Sequence, residues 1–290
     1  MPEDHIARRV EINGIVQGVG FRPFTYQLAS QYKIKGNVAN TSSGVSLHIE
    51  GTKKNVESFY RDLSEKSPPL AHITDISFYD ERLNEYRDFK ILDSKRLSVM
   101  NTLISPDVSV CDDCLHELFD PQDRRFKYPF INCTNCGPRY TIIDDIPYDR
   151  PKTSMKHFGM CRACQAEYED PGNRRFHAQP NACKECGPHV SLFDNAGKKV
   201  SASNPIEKTA ILLKKGYIVA IKGLGGFHLT ADTENDSAIV SLRKRKQREE
   251  KPFAIMSYDV DRIREYAHIE PEEEKLLTSH QRPIVLLKKK

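Results

Sequence analysis

Apolar and polar positions alternate from Arg9 to Val16, the period of a half-buried strand. The stretch Pro23–Tyr32 has the spacing of a helix, and Val45–Glu50 alternates again. From Lys54 to Leu63, Val56, Phe59, Tyr60 and Leu63 recur at three- and four-residue intervals, which predicts an amphipathic helix. Ile73–Tyr79 and Phe89–Leu92 read as further strands. Over residues 93–110 there is no clear periodicity, and a cysteine-rich block follows, from 111 to 190. Past the polar stretch Asp194–Pro205, a third block spans 205–290. It holds a helix at Ile206–Lys215, a strand at Tyr217–Ile221, a charged helix at Ser237–Gln247 and an apolar strand at Pro283–Leu287.

The predicted order over residues 1–92, β-α-β-β-α-β, is ferredoxin-like. The expected fold class is therefore α+β and multidomain, with residues 93–110 as a linker. At 290 residues the chain has room for two or three modest domains. No apolar run reaches the length of a bilayer span. The opening MPEDHIARRVEI lacks the apolar core of a signal peptide, so the chain reads as cytoplasmic, with no membrane partner. A net charge of +4 exerts no strong global pull on nucleic acid.

All eight cysteines stand in C-x-x-C pairs: Cys111/Cys114, Cys133/Cys136, Cys161/Cys164 and Cys183/Cys186. The block is an internal repeat. CDDCLHELFDPQDRRFKYPFINCTNCGPRY, from Cys111, and CRACQAEYEDPGNRRFHAQPNACKECGPHV, from Cys161, share DP, RRF and CGP. Each copy places two C-x-x-C turns at the spacing that surrounds Zn²⁺ with four thiolates. A redox dithiol would stand singly beside a βαβ unit. Four thiolates leave no open coordination position, so both zinc sites are expected to be structural. The simplest pairing lies within each repeat, and a crossed pairing stays open. His157 and His177 lie nearby and read as ordinary polar residues.

The segment GIVQGVGFRPFTYQLA places two glycines and an arginine between a strand and a helix. Free backbone amides at a helix start, with glycines allowing close approach, form an anion cradle. The expected phosphate-binding residues are Gln17, Gly18, Val19, Gly20, Phe21 and Arg22. The bland alternative is a tight turn carrying a surface arginine. The pattern G-x-V-Q-G-V-x-F-R resembles the acylphosphatase signature, and GNVANTSSGV, Gly36–Val45, supplies that family's asparagine position at Asn40. The resemblance implies that Arg22 binds the substrate phosphate and that Asn40 orients the attacking water. Asn37 stands where that family often has tryptophan.

The basic run RKRKQR, Arg243–Arg248, is most simply a solvated helix face. Lys246, Arg248 and Lys251, following KGLGGFHL, also resemble the nucleotide-binding residues of YrdC-like proteins, which bind ATP phosphates.

Taken together, VQGVGFRPF, NCTNCGPRYTII, PYDRPKTSM, DPGNRRFHAQPNAC and KGLGGFHL resemble the HypF family of NiFe-hydrogenase maturation carbamoyltransferases across essentially the whole chain. The resemblance implies hydrolysis of carbamoyl phosphate to carbamate, then carbamoyl-adenylate formation from ATP with Mg²⁺. It further implies transfer to a C-terminal cysteine of a HypE-type acceptor protein. Members of that family are far longer. The expectation is therefore a fragment or one half of a split protein. It would keep the first reaction, lack the final transfer and hold an incomplete YrdC-like domain. Two other classes remain as alternatives: a zinc-finger module whose RRF segments touch RNA phosphates, and a purely structural role.

Overall fold

The computed structural model describes residues 5–94, 103–248 and 250–290; the first four residues, part of the expected linker (95–102) and residue 249 lie outside them. The chain forms two compact units, Met1–Pro188 and His189–Lys290.

The first unit opens with β1 (His5–Ile15), α1 (Phe21–Gln31), β2 (Lys35–Thr41), β3 (Gly44–Thr52), α2 (Lys53–Glu65) and β4 (His72–Glu81). The sheet order is β4-β1-β3-β2, the ferredoxin-like arrangement, with β5 (Phe89–Ile91) added in parallel beside β2. On β1, Val10 and Ile12 turn inward at period two, joining Val38, Leu47 and Ile49 from β2 and β3. Phe21, Leu28, Val56, Phe59 and Leu63 from the helices close this core.

One strand is absent from the periodicity reading. KGNVANT, which becomes β2, carries a glycine and two asparagines, residues that disfavour strands. It is extended because β3 pairs with it along its whole length and β5 pairs with its first half. Strand identity here comes from neighbours in space.

The cysteine-rich part of this unit has little regular structure. Helices α3 (Asp112–Phe119) and α4 (Arg162–Glu169) each begin one residue after the first cysteine of a repeat. Short 3-10 turns at Tyr140–Ile142, Arg150–Lys152 and Ser154–His157 bridge the copies. Its apolar core is small: Cys114, Tyr128, Ile131, Cys133 and Cys136 form one cluster, and Ile142, Met155 and Ala182 another.

The second unit contains α5 (Pro205–Lys214), a hairpin of β6 (Val219–Lys222) and β7 (Phe227–Thr230), and α6 (Asp236–Lys246). It continues with α7 (Val260–Arg264), β8 (Ala267–His268), α8 (Pro271–Thr278) and β9 (Lys288–Lys289). Asn204 and Asn235 cap α5 and α6 with their side-chain oxygens. The expected strand Pro283–Leu287 does not form. Ile284 and Leu286 stand 80% and 85% exposed, and the two-residue β9 pairs with β8 instead. An apolar run becomes a strand only where a neighbour takes up its backbone groups.

Candidate active site

β1 ends at Ile15 and α1 begins at Phe21, and the intervening loop turns through two left-handed glycines, Gly18 (φ 72°) and Gly20 (φ 76°). Gly20 occupies the N-cap and has no side chain to satisfy the first turn. The first intrahelical bond runs from Phe24 N to Gly20 O. The amides of Phe21 and Arg22 therefore have no intrahelical acceptor, and Pro23 has no N–H to donate. The helix thus presents bare donors and the positive end of its dipole to the loop.

Arg22 and Asn40 line one pocket together with Gln17, Gly18 and Gly20. Arg22 is 7% exposed, and its Nη2 donates to Asp149 Oδ1 at 2.9 Å. Asn40 Nδ2 donates to the Tyr148 carbonyl at 3.1 Å, while Asn40 Oδ1 is buried without a protein partner. Gln17 holds the loop to the sheet: its Nε2 donates to the carbonyls of Thr41 and Gly44, both at 2.7 Å. Its Oε1 accepts from Tyr148 N at 2.9 Å. Val19 and Phe21 point into the core, each 1% exposed, so they contribute backbone rather than side chain to the cradle.

The opposite wall comes from the cysteine-rich region: Thr134, Arg139, Tyr148, His177 and Gln179. Burial, with Arg22 adding to it, lowers the His177 imidazole to about 4, so it is neutral at physiological pH. Burial likewise raises the Tyr148 phenol. Asp149 and Tyr148 belong to the segment PYDRPKTSM, which stands out in the sequence without marking either residue as part of a site. Nothing local to that segment announces a partner more than a hundred residues away. His177, read as an ordinary polar residue, lines the pocket.

The eight cysteine sulfurs fall into two sets, Cys111/Cys114/Cys133/Cys136 and Cys161/Cys164/Cys183/Cys186, each with all ligand atoms within 4.8 Å of one another. The pairing is within each repeat. Two sulfur–sulfur distances in the first set are 3.7 and 3.8 Å, and three in the second run from 3.6 to 3.9 Å. A tetrahedron with zinc–sulfur bonds of about 2.3 Å has edges of about 3.8 Å, so both sets fit Zn²⁺, whose chemistry there is structural.

The two RRF segments cross between the repeats. Arg124 and Arg125 bind Glu167, and they donate to Cys164 Sγ at 3.2 and 3.7 Å. Reciprocally, Arg174 and Arg175 bind Glu117 and donate to Cys114 Sγ at 3.0 and 4.0 Å. Burial pushes the Glu167 carboxyl up, but the hydrogen bonds of Arg125 and Arg124 outweigh it and hold the group at about 2. Four thiolates around Zn²⁺ carry two net negative charges, and each arginine pair sits beside the other repeat's cluster. The guanidiniums that an RNA-binding reading would turn toward phosphates are engaged inside this region.

In the second unit, Lys246 ends α6, while Arg248 and Lys251 lie in the loop that follows. Lys246 and Lys251 are exposed. Arg248 donates to the carbonyls of Lys251 and Pro252 at 3.2 and 2.8 Å and stacks on Phe253. Among the described residues no helix is long and apolar enough to cross a membrane.

A ferredoxin-like domain with a phosphate-type cradle, walled by a twinned Cys₄ region, defines an acylphosphatase-type domain joined to tandem zinc fingers. Family profiles agree segment by segment. Acylphosphatase matches residues 8–91, HypF finger matches 110–143 and 160–193, and Telomere recombination, the YrdC-like family, matches 211–290. The acylphosphatase of Thermotoga maritima is 38% identical over 86 residues, 94% of its length. Carbamoyltransferase HypF2 of Cupriavidus necator is 49% identical over 97% of this chain and 35% of its own. The probable carbamoyltransferase HypF of Methanocaldococcus jannaschii is 47% identical over 97% of this chain and 37% of its own. The crystal structure of a full-length HypF in its phosphate- and nucleotide-bound form is 52% identical, with a TM-score of 0.94, over 99% of this chain and 38% of that one. The chain belongs to the HypF family, and it spans a little over a third of the length of these relatives.

Proposed function

We propose that the first unit hydrolyses an acyl phosphate, with carbamoyl phosphate as the physiological substrate, as the opening step of a carbamoyl transfer. The observation that carries this is the convergence on one pocket of Arg22, the helix-start amides and the unpartnered Asn40 Oδ1. Arg22 and the amides from Gln17 to Arg22 hold the phosphoryl oxygens and offset the charge that develops on them. Asn40 Oδ1 accepts a hydrogen bond from water and aims its oxygen at phosphorus. The new P–O bond forms as the bond to the acyl oxygen breaks. Carbamate leaves with that electron pair, and the water proton passes to a phosphate oxygen. A carboxylate is already a good leaving group, so no strong base is required. Asp149 holds Arg22 until phosphate displaces it.

Residues 1–92 are then the acylphosphatase domain, 111–190 the zinc-finger domain and 205–290 part of a YrdC-like domain. In the whole protein, Lys246, Arg248 and Lys251 would bind ATP with Mg²⁺ for carbamoyl-adenylate formation. The carbamoyl group would pass finally to a cysteine thiol of a HypE-type acceptor. Support for the two ligands comes from the HypF relative whose structure holds phosphate and nucleotide.

Phosphate release from carbamoyl phosphate, corrected for spontaneous decay, tests the first step. Wild-type release that falls at least about a hundredfold in Arg22→Ala is expected. Equal release by the two proteins, or none above background from folded, zinc-loaded wild type, would refute the reading.

A further inference from the structure

Arg139 is among the largest fully buried side chains of the chain, at 2% exposure, and it lies between the first zinc cluster and the phosphate loop. Its Nη1 donates to the carbonyls of Cys136 and Pro138 at 3.1 and 2.8 Å. Its Nη2 donates to those of Cys133 and Thr134 at 3.1 and 2.9 Å. Its Nε donates to the carbonyl of Gly18. All five guanidinium N–H groups therefore go to backbone carbonyls, four in or beside the C-x-x-C turn of the first cluster and one in the loop. The Arg139 amide is fixed in turn by Asp107 Oδ1 at 2.7 Å.

We propose that Arg139 is a positioning residue that locks the phosphate loop to the first zinc-binding turn. In a planar trans peptide, the C=O of one residue and the N–H of the next point in opposite directions. By holding the Gly18 carbonyl from the zinc side, Arg139 fixes the orientation of the Val19 N–H, one of the cradle amides. Without this restraint the Gly18–Val19 peptide, with left-handed Gly18 on one side, is freer to rotate. The contact is close: a Cβ on Gly18 would lie 3.0 Å from Arg139 Cδ. The Thermotoga maritima acylphosphatase aligns over nearly its whole length within 86 residues, so it has no counterpart of this staple. Loading of the first cluster thereby becomes a condition for a formed phosphate site in this chain. The catalytic consequence rests on the acyl phosphate reading, while the structural coupling stands apart from it.

The test compares full-chain, zinc-loaded wild type with Arg139→Lys, Arg139→Gln and Arg22→Ala. Zinc content, amide hydrogen exchange across residues 14–22, inorganic phosphate affinity, and KM and kcat for acetyl phosphate are measured on each. Both Arg139 variants, at two zinc ions per chain, are expected to exchange loop amides at least about tenfold faster and to bind inorganic phosphate about tenfold more weakly. KM should rise in parallel, and kcat should fall by less than it does in Arg22→Ala. Arg22→Ala should lose phosphate affinity with loop exchange unchanged. Zinc-loaded Arg139 variants with wild-type loop exchange and phosphate affinity would overturn the proposal. A mutation-free arm follows wild type during graded zinc removal. Residues 14–22 should lose protection together with 133–136 and ahead of the β1–β3 ladder; loop protection that outlasts that of 133–136 also overturns it. Wild type that neither binds inorganic phosphate nor hydrolyses acetyl phosphate refutes the acyl phosphate reading, and the exchange comparison still decides the role of Arg139.

Discussion

Arg22 and Asp149 form the ion pair on which the candidate site turns. Both are largely buried, so the carboxylate balances a charge that water cannot reach well. Asp149→Asn is expected to cost about 1–3 kcal/mol in the free protein, because the guanidinium loses its counter-charge. Phosphate restores that balance. Saturating phosphate should therefore raise the melting temperature of Asp149→Asn more than that of wild type; an equal shift would show that phosphate does not reach Arg22. His177 gives a second expectation. Its folded-state value of about 4 lies below the ordinary histidine value, so the unfolded chain binds the extra proton between about 6.5 and 4. Stability falls as pH drops through that window, and His177→Gln should flatten the profile measured by denaturant melts. Arg22 and Asn40 were legible in the sequence because a glycine-rich loop and an asparagine segment carry local motifs. Asp149, Tyr148 and Arg139 were not, since each acts through a partner brought near only by folding.

The crossed arginines show how the two zinc repeats support one another. Arg125 is 1% exposed and binds Glu167 in the other copy. Arg125→Met should destabilise the zinc region by about 3 kcal/mol, since it leaves a partly buried carboxylate short of its strongest partner. The lowered Glu167 carboxyl contributes at most about 3 kcal/mol, present above the unfolded value near 4.5 and lost as pH falls toward 2. Acid titration of stability in wild type and Glu167→Gln checks this, and the two curves should converge near pH 2. The repeat itself was plain from the 50-residue offset between the copies. The crossing was not, because identical RRF segments could equally have faced their own cluster or solvent. β2 and the absent strand at Pro283–Leu287 make the same point for strands. Gly36 and two asparagines pair with β3, while Ile284 and Leu286 remain exposed.

Metal removal should divide the first unit. The sheet domain carries its own core of Val10, Ile12, Leu47, Phe59 and their neighbours, whereas the cysteine-rich region has only two small apolar clusters. Chelation is expected to unfold the region around residues 105–188 and to leave the β1–β4 sheet protected against amide exchange. Loss of both together would show that the sheet depends on the zinc region for stability. Phe59→Ala, by contrast, should cost about 3–5 kcal/mol in the sheet domain without releasing zinc. The cysteine spacing, the glycine loop and the helical periods are local, so the zinc-ligand chemistry, the anion-type turn and the helices of the first unit follow from short-range chain geometry, whereas β2 and the run Pro283–Leu287 were decided by neighbours in space. The within-repeat zinc pairing, the reciprocal arginines and the zinc-side wall over Arg22 depend on contacts between residues up to 131 positions apart. Such contacts arise from packing, in which buried charges and carbonyls must find partners wherever the fold brings them, and no local pattern records that choice.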